Sequence, residues 1–237
     1  MRNKHVVITG GVSGIGSAII DRCYSEGAKV CCIDIQANSH PKADISFQCD
    51  ISNEAQVEQA FKQIKETWQN LDILINNAGI SIRESFLKTT AKHWDHTLAV
   101  NLTGPFLVTK AAMSIMATGT IINIASVSGI VGMPNYLSYN VSKAGLIELT
   151  KTLALELAPN FRVNAICPGY VLTPMQEKEY STEALMECAK KIPLQRLSRP
   201  EEIAALVSYL CSDEARFITG QSLIIDGGEL AGGLASR

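Results

Sequence analysis

The run His5-Val6-Val7-Ile8-Thr9-Gly10-Gly11-Val12-Ser13-Gly14-Ile15-Gly16 decides the fold. Its first part is a β-branched apolar run that reads as a fully buried strand. Glycines interrupt it, an amphipathic helix follows to about residue 26, and a second strand runs over about 28–34. Strand, glycine loop, helix and strand make one βαβ unit. Each glycine has its own physical use. Gly10 permits the tight turn, Gly14 lets the backbone approach a pyrophosphate, and Gly16 lets the helix pack closely. The helix N-terminus offers free N–H groups and a partial positive charge to phosphates. The spacing G-x-x-x-G-x-G departs from the common G-x-G-x-x-G, yet it has the preceding strand and following helix that a dinucleotide site requires. Asp34 ends the second strand, where a carboxylate can accept from both ribose hydroxyls of adenosine and would repel a 2′-phosphate. NAD is therefore favoured over NADP. The plainer alternative for Asp34 is a strand-ending acid.

Downstream, residues 46–49 read as a short third strand, and Ser52-Asn53-Glu54 opens a helix to about residue 68 with Val57, Ala60, Phe61 and Ile64 on its apolar stripe. Residues 71–75 form a fourth strand, from which Asn76-Asn77-Ala78-Gly79 turns away. A helical pattern over about 92–116 carries Asn101 and then Gly104-Pro105, which should disturb its hydrogen-bond ladder. A polar residue there is either a satisfied kink or a site group. Strands over 120–125 and 161–167 bracket a long helix over about 136–158, and Pro168-Gly169 closes the second of them. A loop over about 170–195 holds a short helix near 182–190. A helix over 200–212 and a last strand over 222–226 follow, and the tail ends in Gly232-Gly233, expected to be flexible unless a neighbouring subunit holds it.

Near-continuous apolar strands alternating with helices predict an α/β fold: a single-domain, Rossmann-like, doubly wound parallel sheet with helices on both faces. No linker or repeat divides the 237 residues. Ligands of such sheets bind beyond the carboxyl ends of the strands. Gly14, Asp34, Asn76, Ser126 and Pro168 all fall there, so the pattern converges on one cleft.

Composition narrows the function classes. A hydrophobic content of 46% is ample for a core, and a net charge of −2 leaves no basic field for nucleic acid. The first residues read as neither a signal peptide nor a membrane span. The seven cysteines include no C-x-x-C pair and no partner His cluster, so no metal is expected. Reduced, mostly buried thiols in a cytoplasmic protein are the reading they support.

Chemistry concentrates between Ser126 and Lys143. Tyr139 and Lys143 stand four apart at the head of a helical pattern, which puts them on one face. A nearby ammonium favours phenolate, so the tyrosine is expected to titrate below its free value and to exchange a proton with an alcohol or ketone oxygen. Ser126, at the end of a strand, could donate to the same oxygen. The bland alternative is a core tyrosine beside a solvated lysine.

Taken together, Thr9-Gly10-x-x-x-Gly14-x-Gly16, Asp34, Cys49-Asp50-Ile51, Asn76-Asn77-Ala78-Gly79, Asn101, Ser126, Tyr139-x-x-x-Lys143 and Pro168-Gly169-x-x-x-Thr173 resemble the short-chain dehydrogenase/reductase family over essentially the whole chain. The resemblance implies roles. Tyr139 would be the general acid/base. Lys143 would hold the nicotinamide ribose and lower the tyrosine pKa. Ser126 would polarise the substrate oxygen, and Asn101 would stabilise a water linking Lys143 to solvent. Asp50 would reach the adenine, Asn76 and Ala78 would line the cofactor channel, and Val171 and Thr173 would meet the nicotinamide carboxamide and the diphosphate. Asn77 would tie two strand ends. The implied cofactor-binding set is Gly10, Ser13, Gly14, Ile15 and Gly16; Asp34; Asp50 and Ile51; Asn77, Ala78 and Gly79; Pro168, Gly169, Val171 and Thr173; with Tyr139 and Lys143. A homotetramer is also implied.

The leading expectation is an NAD-linked oxidoreductase acting on a secondary alcohol or ketone. A 3-oxoacyl thioester reductase using NADPH and an acyl carrier protein is a second reading, because Pro193-Leu194-x-Arg196-Leu197 and the ending from Ile218-Thr219-Gly220 to Asp226-Gly227-Gly228 resemble that subgroup. Sugar and polyol dehydrogenases share that ending. A non-catalytic dinucleotide-binding scaffold is a third, for which the Asn101, Ser126, Tyr139 and Lys143 set would be superfluous. The substrate lining is expected from residues 81–87, 127–136 and 170–186, where Met133, Tyr136, Tyr170, Met175 and Met186 suggest an uncharged or weakly polar substrate.

Overall fold

Neighbouring residues of a strand point to opposite faces of a sheet, and here both faces are buried. The computed structural model describes residues 1–232. Seven strands, His5–Thr9 (β1), Lys29–Asp34 (β2), Ile45–Gln48 (β3), Ile73–Asn76 (β4), Gly119–Ile124 (β5), Phe161–Pro168 (β6) and Ser222–Ile225 (β7), form one sheet in the order β3-β2-β1-β4-β5-β6-β7. Every pairing is parallel. Val7, Cys31, Ile33, Leu74 and Ile121 pack on one face against the helices Glu54–Thr67 (α2) and Gly104–Ala112 (α4). Val6, Ile8, Val30, Ile73 and Ile122 pack on the other against Gly14–Ser25 (α1) and Pro200–Leu210 (α8). The predicted doubly wound fold is the observed one.

Chain order reverses between β1 and β4: from β1 the chain moves out to β2 and β3, then returns to β4 and continues the other way. The loops after β1 and β4 leave on opposite faces and open a crevice at that switch point. Asn77 ties its two walls together, donating from Nδ2 to the carbonyls of Thr9 (3.0 Å) and Gly10 (2.8 Å). Its predicted structural role is therefore observed.

The helix expected over 92–116 is three pieces. Ala91–Leu98 (α3) and α4 are joined by a π-helical turn at Ala99–Thr103 that carries Asn101. The break was foreseen, but its form was not: the Gly104 N–H reaches back to the Ala99 carbonyl, so the ladder widens instead of stopping. Gly104 lets Ile51 pack against the turn, since a Cβ there would lie 2.7 Å from Ile51 Cδ1 and force that side chain to move. The long helix is Leu137–Glu156 (α5), and Thr182–Lys191 (α7) is close to the expected short helix. A further helix, Pro174–Glu179 (α6), was not expected; Thr173 caps it, Oγ1 accepting from Gln176 N at 3.4 Å. The signal was present as Thr-Pro, a cap residue followed by proline at the first helical position.

All seven cysteines are free and five are buried. Among the described residues no helix is long and apolar enough to cross a membrane, and no cluster of metal-ligating side chains occurs. After β7 the Asp226 carboxylate accepts from the N–H groups of Gly228 (2.9 Å) and Leu230 (2.8 Å). The last five residues of the tail, 233–237, lie outside the described residues.

Candidate active site

The loops at the carboxyl ends of the strands enclose a cavity of about 630 Å³. Its first wall is the glycine loop. Gly10 has φ +66° and a Cβ there would sit 2.7 Å from Ala78 Cα; Gly14 has φ +56°. Both backbones need glycine, and the side-chain-free surface they leave faces the cavity. Asp34 lies at the same end, 7% exposed, with Oδ2 accepting from Val12 N at 3.0 Å and Oδ1 from Gln36 N at 3.0 Å. The carboxylate is thus aimed by two backbone donors. Asp50 also lines the cavity, its Oδ1 accepting from the Ser52 N–H (2.9 Å) and hydroxyl (2.7 Å). This donor-and-acceptor wall fits a nicotinamide dinucleotide: bare glycine backbone at a helix N-terminus for the pyrophosphate and a fixed carboxylate for a ribose diol.

Of the residues implied for cofactor binding, Gly10, Ser13, Gly14, Ile15, Asp34, Asp50, Ile51, Asn77, Ala78, Gly79, Pro168, Gly169, Val171 and Thr173 all line the cavity, as do Ser126, Tyr139 and Lys143. Three expected groups do not. Gly16 is a packing glycine, since a Cβ there would lie 2.1 Å from the Gly10 carbonyl oxygen. Asn76 points into the sheet interior, where Nδ2 donates to Asn123 Oδ1 (2.8 Å) and Thr109 Oγ1 (3.1 Å). Its place in the channel is corrected: in the strand's alternation Asn76 falls on the covered side and Asn77, one residue on, emerges at the cleft. Asn101 is fully buried. Its Oδ1 accepts from Ile80 N (2.8 Å) and its Nδ2 donates to Ile80 O (2.8 Å) and Ser142 Oγ (3.0 Å).

Ser126, Tyr139 and Lys143 meet beyond the glycine wall. Ser126 caps a short turn; its Oγ accepts from Ser128 N at 3.1 Å, which leaves its proton for a hydrogen bond to Tyr139. Tyr139 and Lys143 are one turn apart on α5, with the Lys143 Nζ 5.6 Å from the tyrosine ring centroid. Lys143 is 4% exposed and donates to the Ile124 carbonyl at 2.8 Å. Burial pushes the Tyr139 phenol up to about 12, against the opposing pull of a Ser126 hydrogen bond. Burial also pushes the Lys143 ammonium down to about 8. The expected depression of the tyrosine is therefore not a property of the protein alone: desolvation of the phenolate outweighs an ammonium that is already turned to a carbonyl.

Two groups missed by the sequence reading hold this arrangement. Ser142 links Asn101 to the helix, its hydroxyl donating to the Tyr139 carbonyl at 2.7 Å. Gly129 lets the Ser126 loop lie on α5, since a Cβ there would sit 2.7 Å from the Lys143 carbonyl carbon. Nothing in the local sequence distinguishes Ser142; a glycine three residues after Ser126 was a usable signal.

A family described as enoyl-(acyl carrier protein) reductase matches residues 10–229. An NAD-dependent glycerol dehydrogenase from Listeria innocua is 36% identical, over 95% of this chain and 93% of its own. The chain belongs to the short-chain dehydrogenase/reductase family. A 3-oxoacyl-(acyl carrier protein) reductase from Thermotoga maritima is 37% identical, over 96% of this chain and 98% of its own. A crystal structure of levodione reductase superposes with a TM-score of 0.93 at 33% identity, covering 98% of this chain and 99% of that one. This short-chain dehydrogenase/reductase is an oxidoreductase of alcohol and ketone substrates that binds a nicotinamide dinucleotide.

The remaining wall of the dehydrogenase cavity differs from expectation. Met133 and Met175 line it, but Met186 is 60% exposed and lies off it. In its place come Gln176, Glu179, Tyr180, His96, Cys188 and Lys191, a more polar lining than the methionines suggested. The chain folds α6 across the opening, and periodicity could not foresee a helix of six residues.

The buried ammonium has a measurable consequence. Lys143 has a folded pKa of about 8 against an ordinary 10.5. Between those values the native state binds fewer protons than the unfolded chain, so this group adds stability as pH rises and its penalty is full below about 8. Lys143→Met removes that dependence, leaving a constant offset from the unpaired Ile124 carbonyl. The Tm of the Met variant relative to wild type is expected to be highest at neutral pH and to fall as pH is raised from 8 to 10; a difference independent of pH contradicts the buried ammonium.

Proposed function

We propose that this chain is an NAD-dependent oxidoreductase that interconverts a secondary alcohol and its ketone, with Tyr139 as the general acid/base. The observation that carries the cofactor choice is the Asp34 carboxylate, fixed by the Val12 and Gln36 N–H groups at the adenosine end of the cavity. A 2′-phosphate there would meet a desolvated like charge, and no Lys or Arg lines the cavity beside Asp34, Ile35 or Gln36. The bound dinucleotide supplies the hydride donor or acceptor.

The chain's own residues do the rest. Ser126, with its oxygen lone pair taken by Ser128 N–H, donates its proton toward the substrate oxygen and orients it. Tyr139 takes the proton from a carbinol, or returns it to a ketone, at its phenol oxygen. Lys143 favours the phenolate by its charge and has hydrogen-bond donors left for a ribose hydroxyl. Asn101 is a positioning residue: through Ser142 it braces the Tyr139 turn, and through Ile80 it braces the wall opposite. Its carriage of a water toward Lys143 belongs to the same reading. The segment over 170–195 closes the substrate end.

The thioester reductase reading is weakened at the residues that suggested it. Arg196 is engaged with Glu202, at 2.7 and 2.6 Å, fastening the start of α8. Assembly as a homotetramer fits the exposed Phe106 of α4 and the exposed Val141 and Leu155 of α5, apolar groups on the outer faces of two helices. A cytoplasmic setting fits the free thiols.

Three outcomes are expected. First, kcat/KM with NAD should exceed that with NADP by roughly a hundredfold or more, and Asp34→Ala with Ile35→Arg should reverse the preference; equal values would sink the assignment. Second, Tyr139→Phe should lower turnover by roughly 10² to 10⁴ with NAD affinity nearly unchanged, measured by calorimetric titration. Near-normal turnover of that variant would exclude Tyr139 as the proton carrier. Third, light scattering should give about four times the chain mass of 25.6 kDa, and a stable monomer would refute the assembly.

A further inference from the structure

The substrate end of the cavity is built around one carboxylate. Glu179, the last residue of α6, has one oxygen committed: Oε2 accepts from the Tyr136 hydroxyl at 2.8 Å. The Tyr136 oxygen stands 2.8 Å from the Tyr180 hydroxyl as well. With its single proton given to Glu179, Tyr136 accepts there, and Tyr180 donates. Burial and the neighbouring Tyr180 and Glu179 push the Tyr136 phenol far up, so it stays a donor at any working pH. The Arg83 guanidinium, also on the cavity lining, lies over the Tyr180 ring, 5.0 Å from its centroid.

The second oxygen is the unexplained one. Among the described residues Oε1 of Glu179 is buried and has no hydrogen-bond partner, and the residue takes part in no ion pair. Two more buried oxygens of residues lining the same cavity are unpartnered, Oε1 of Gln176 and Oγ of Ser81. A desolvated carboxylate oxygen without a donor costs about 1–3 kcal/mol or more, so two orphaned acceptors and a hydroxyl around one space point to what fills it. They are close to the chemistry: the Tyr136 and Tyr139 rings lie edge to face at 6.2 Å. The Glu179 charge is near enough to oppose ionisation of Tyr139.

Resting on the active-site reading above, we infer that Glu179 is a specificity-determining residue that binds a second hydroxyl of the substrate, so that the enzyme takes polyhydroxylated alcohols and the corresponding hydroxyketones. Oε1 accepts that hydroxyl's proton, while Gln176 and Ser81 meet further hydroxyls. An acyl chain in this position leaves Oε1 unpaired in a dry site and is rejected, by the asymmetry that lets a polar pocket refuse an analogue lacking its partner. Tyr136 is the positioning residue that points the carboxylate.

The test compares a matched pair, butane-2,3-diol and butan-2-ol, on the full-length enzyme with NAD. The wild type should prefer the diol in kcat/KM by roughly tenfold to a hundredfold, the range of one hydrogen bond to a charged acceptor. Glu179→Ala should bring the ratio close to one. Glu179→Gln, which retains an acceptor without the charge, should fall between, and Tyr136→Phe should lower the ratio through the loosened carboxylate. Calorimetric titration of the same pair gives a ratio of Kd values that needs no turnover. Absence of turnover with both compounds counts against the active-site reading alone, and the Kd ratio still decides this one. Equal preference in the wild type, a diol preference that survives Glu179→Ala, or a still larger preference for 3-aminobutan-2-ol, which would make the site one for an ammonium, each overturns it.

Discussion

Burying the Lys143 ammonium is the constraint on which the rest of the site depends. A charged group that is 4% exposed requires hydrogen-bond acceptors and close packing around it. The Ile124 carbonyl at the end of β5 supplies one acceptor at 2.8 Å. Gly129 lets another segment approach, for a Cβ there would collide with the Lys143 backbone, and Gly79 lies in contact range of Nζ. Ser126, the next residue but one after Ile124, is thereby brought to the same spot. The serine, the tyrosine and the cofactor wall all take their positions from elements that first had to accommodate the lysine.

The sheet supplies the second condition, a closely packed floor. Parallel strands covered on both faces leave their carboxyl ends as the open edge. Polar residues on those strands are satisfied within the interior: Asn123 Nδ2 donates to Thr150 Oγ1 at 2.8 Å while its Oδ1 receives from Asn76. This amide chain joins β4, β5 and α5, the three elements that carry the cleft's central residues. The walls are thus registered to one another by hydrogen bonds as well as by packing.

Much of this was legible in the chain. The glycine loop, Asp34 and the Tyr139–Lys143 pair announce themselves because their chemistry is set by spacing along the sequence: a turn, a strand end, one helical turn. The sheet order follows from the same local periodicities combined with the rules for parallel crossovers. What was not legible depends on contacts far apart in sequence. Ser142 matters because Asn101 reaches it across 41 positions, and Glu179 because Tyr136 reaches it across 43. Asn76 and Asn77 are adjacent and chemically identical, and only the pleat separates a core amide from one at the cleft. The direction of the Tyr139 shift was misjudged for a related reason: pairing with lysine is visible in the sequence, whereas depth of burial is not.

The wide turn at Ala99–Thr103 has a consequence for how this chain can change length. A π turn holds one residue more than an α turn, so it behaves as an insertion absorbed in place. Four α residues carry the chain about as far around the axis as the five of the wide turn, so taking one residue out of it would restore a regular helix and leave α3 and α4 near their present phase. A residue taken out of α4 itself has no such slack to draw on, and would rotate its apolar stripe by about 100°. What only the wide turn provides is local: the placing of Asn101 against Ile80 and Ser142. The chain can therefore lose length at this one turn and keep its packing, but not the contacts of Asn101.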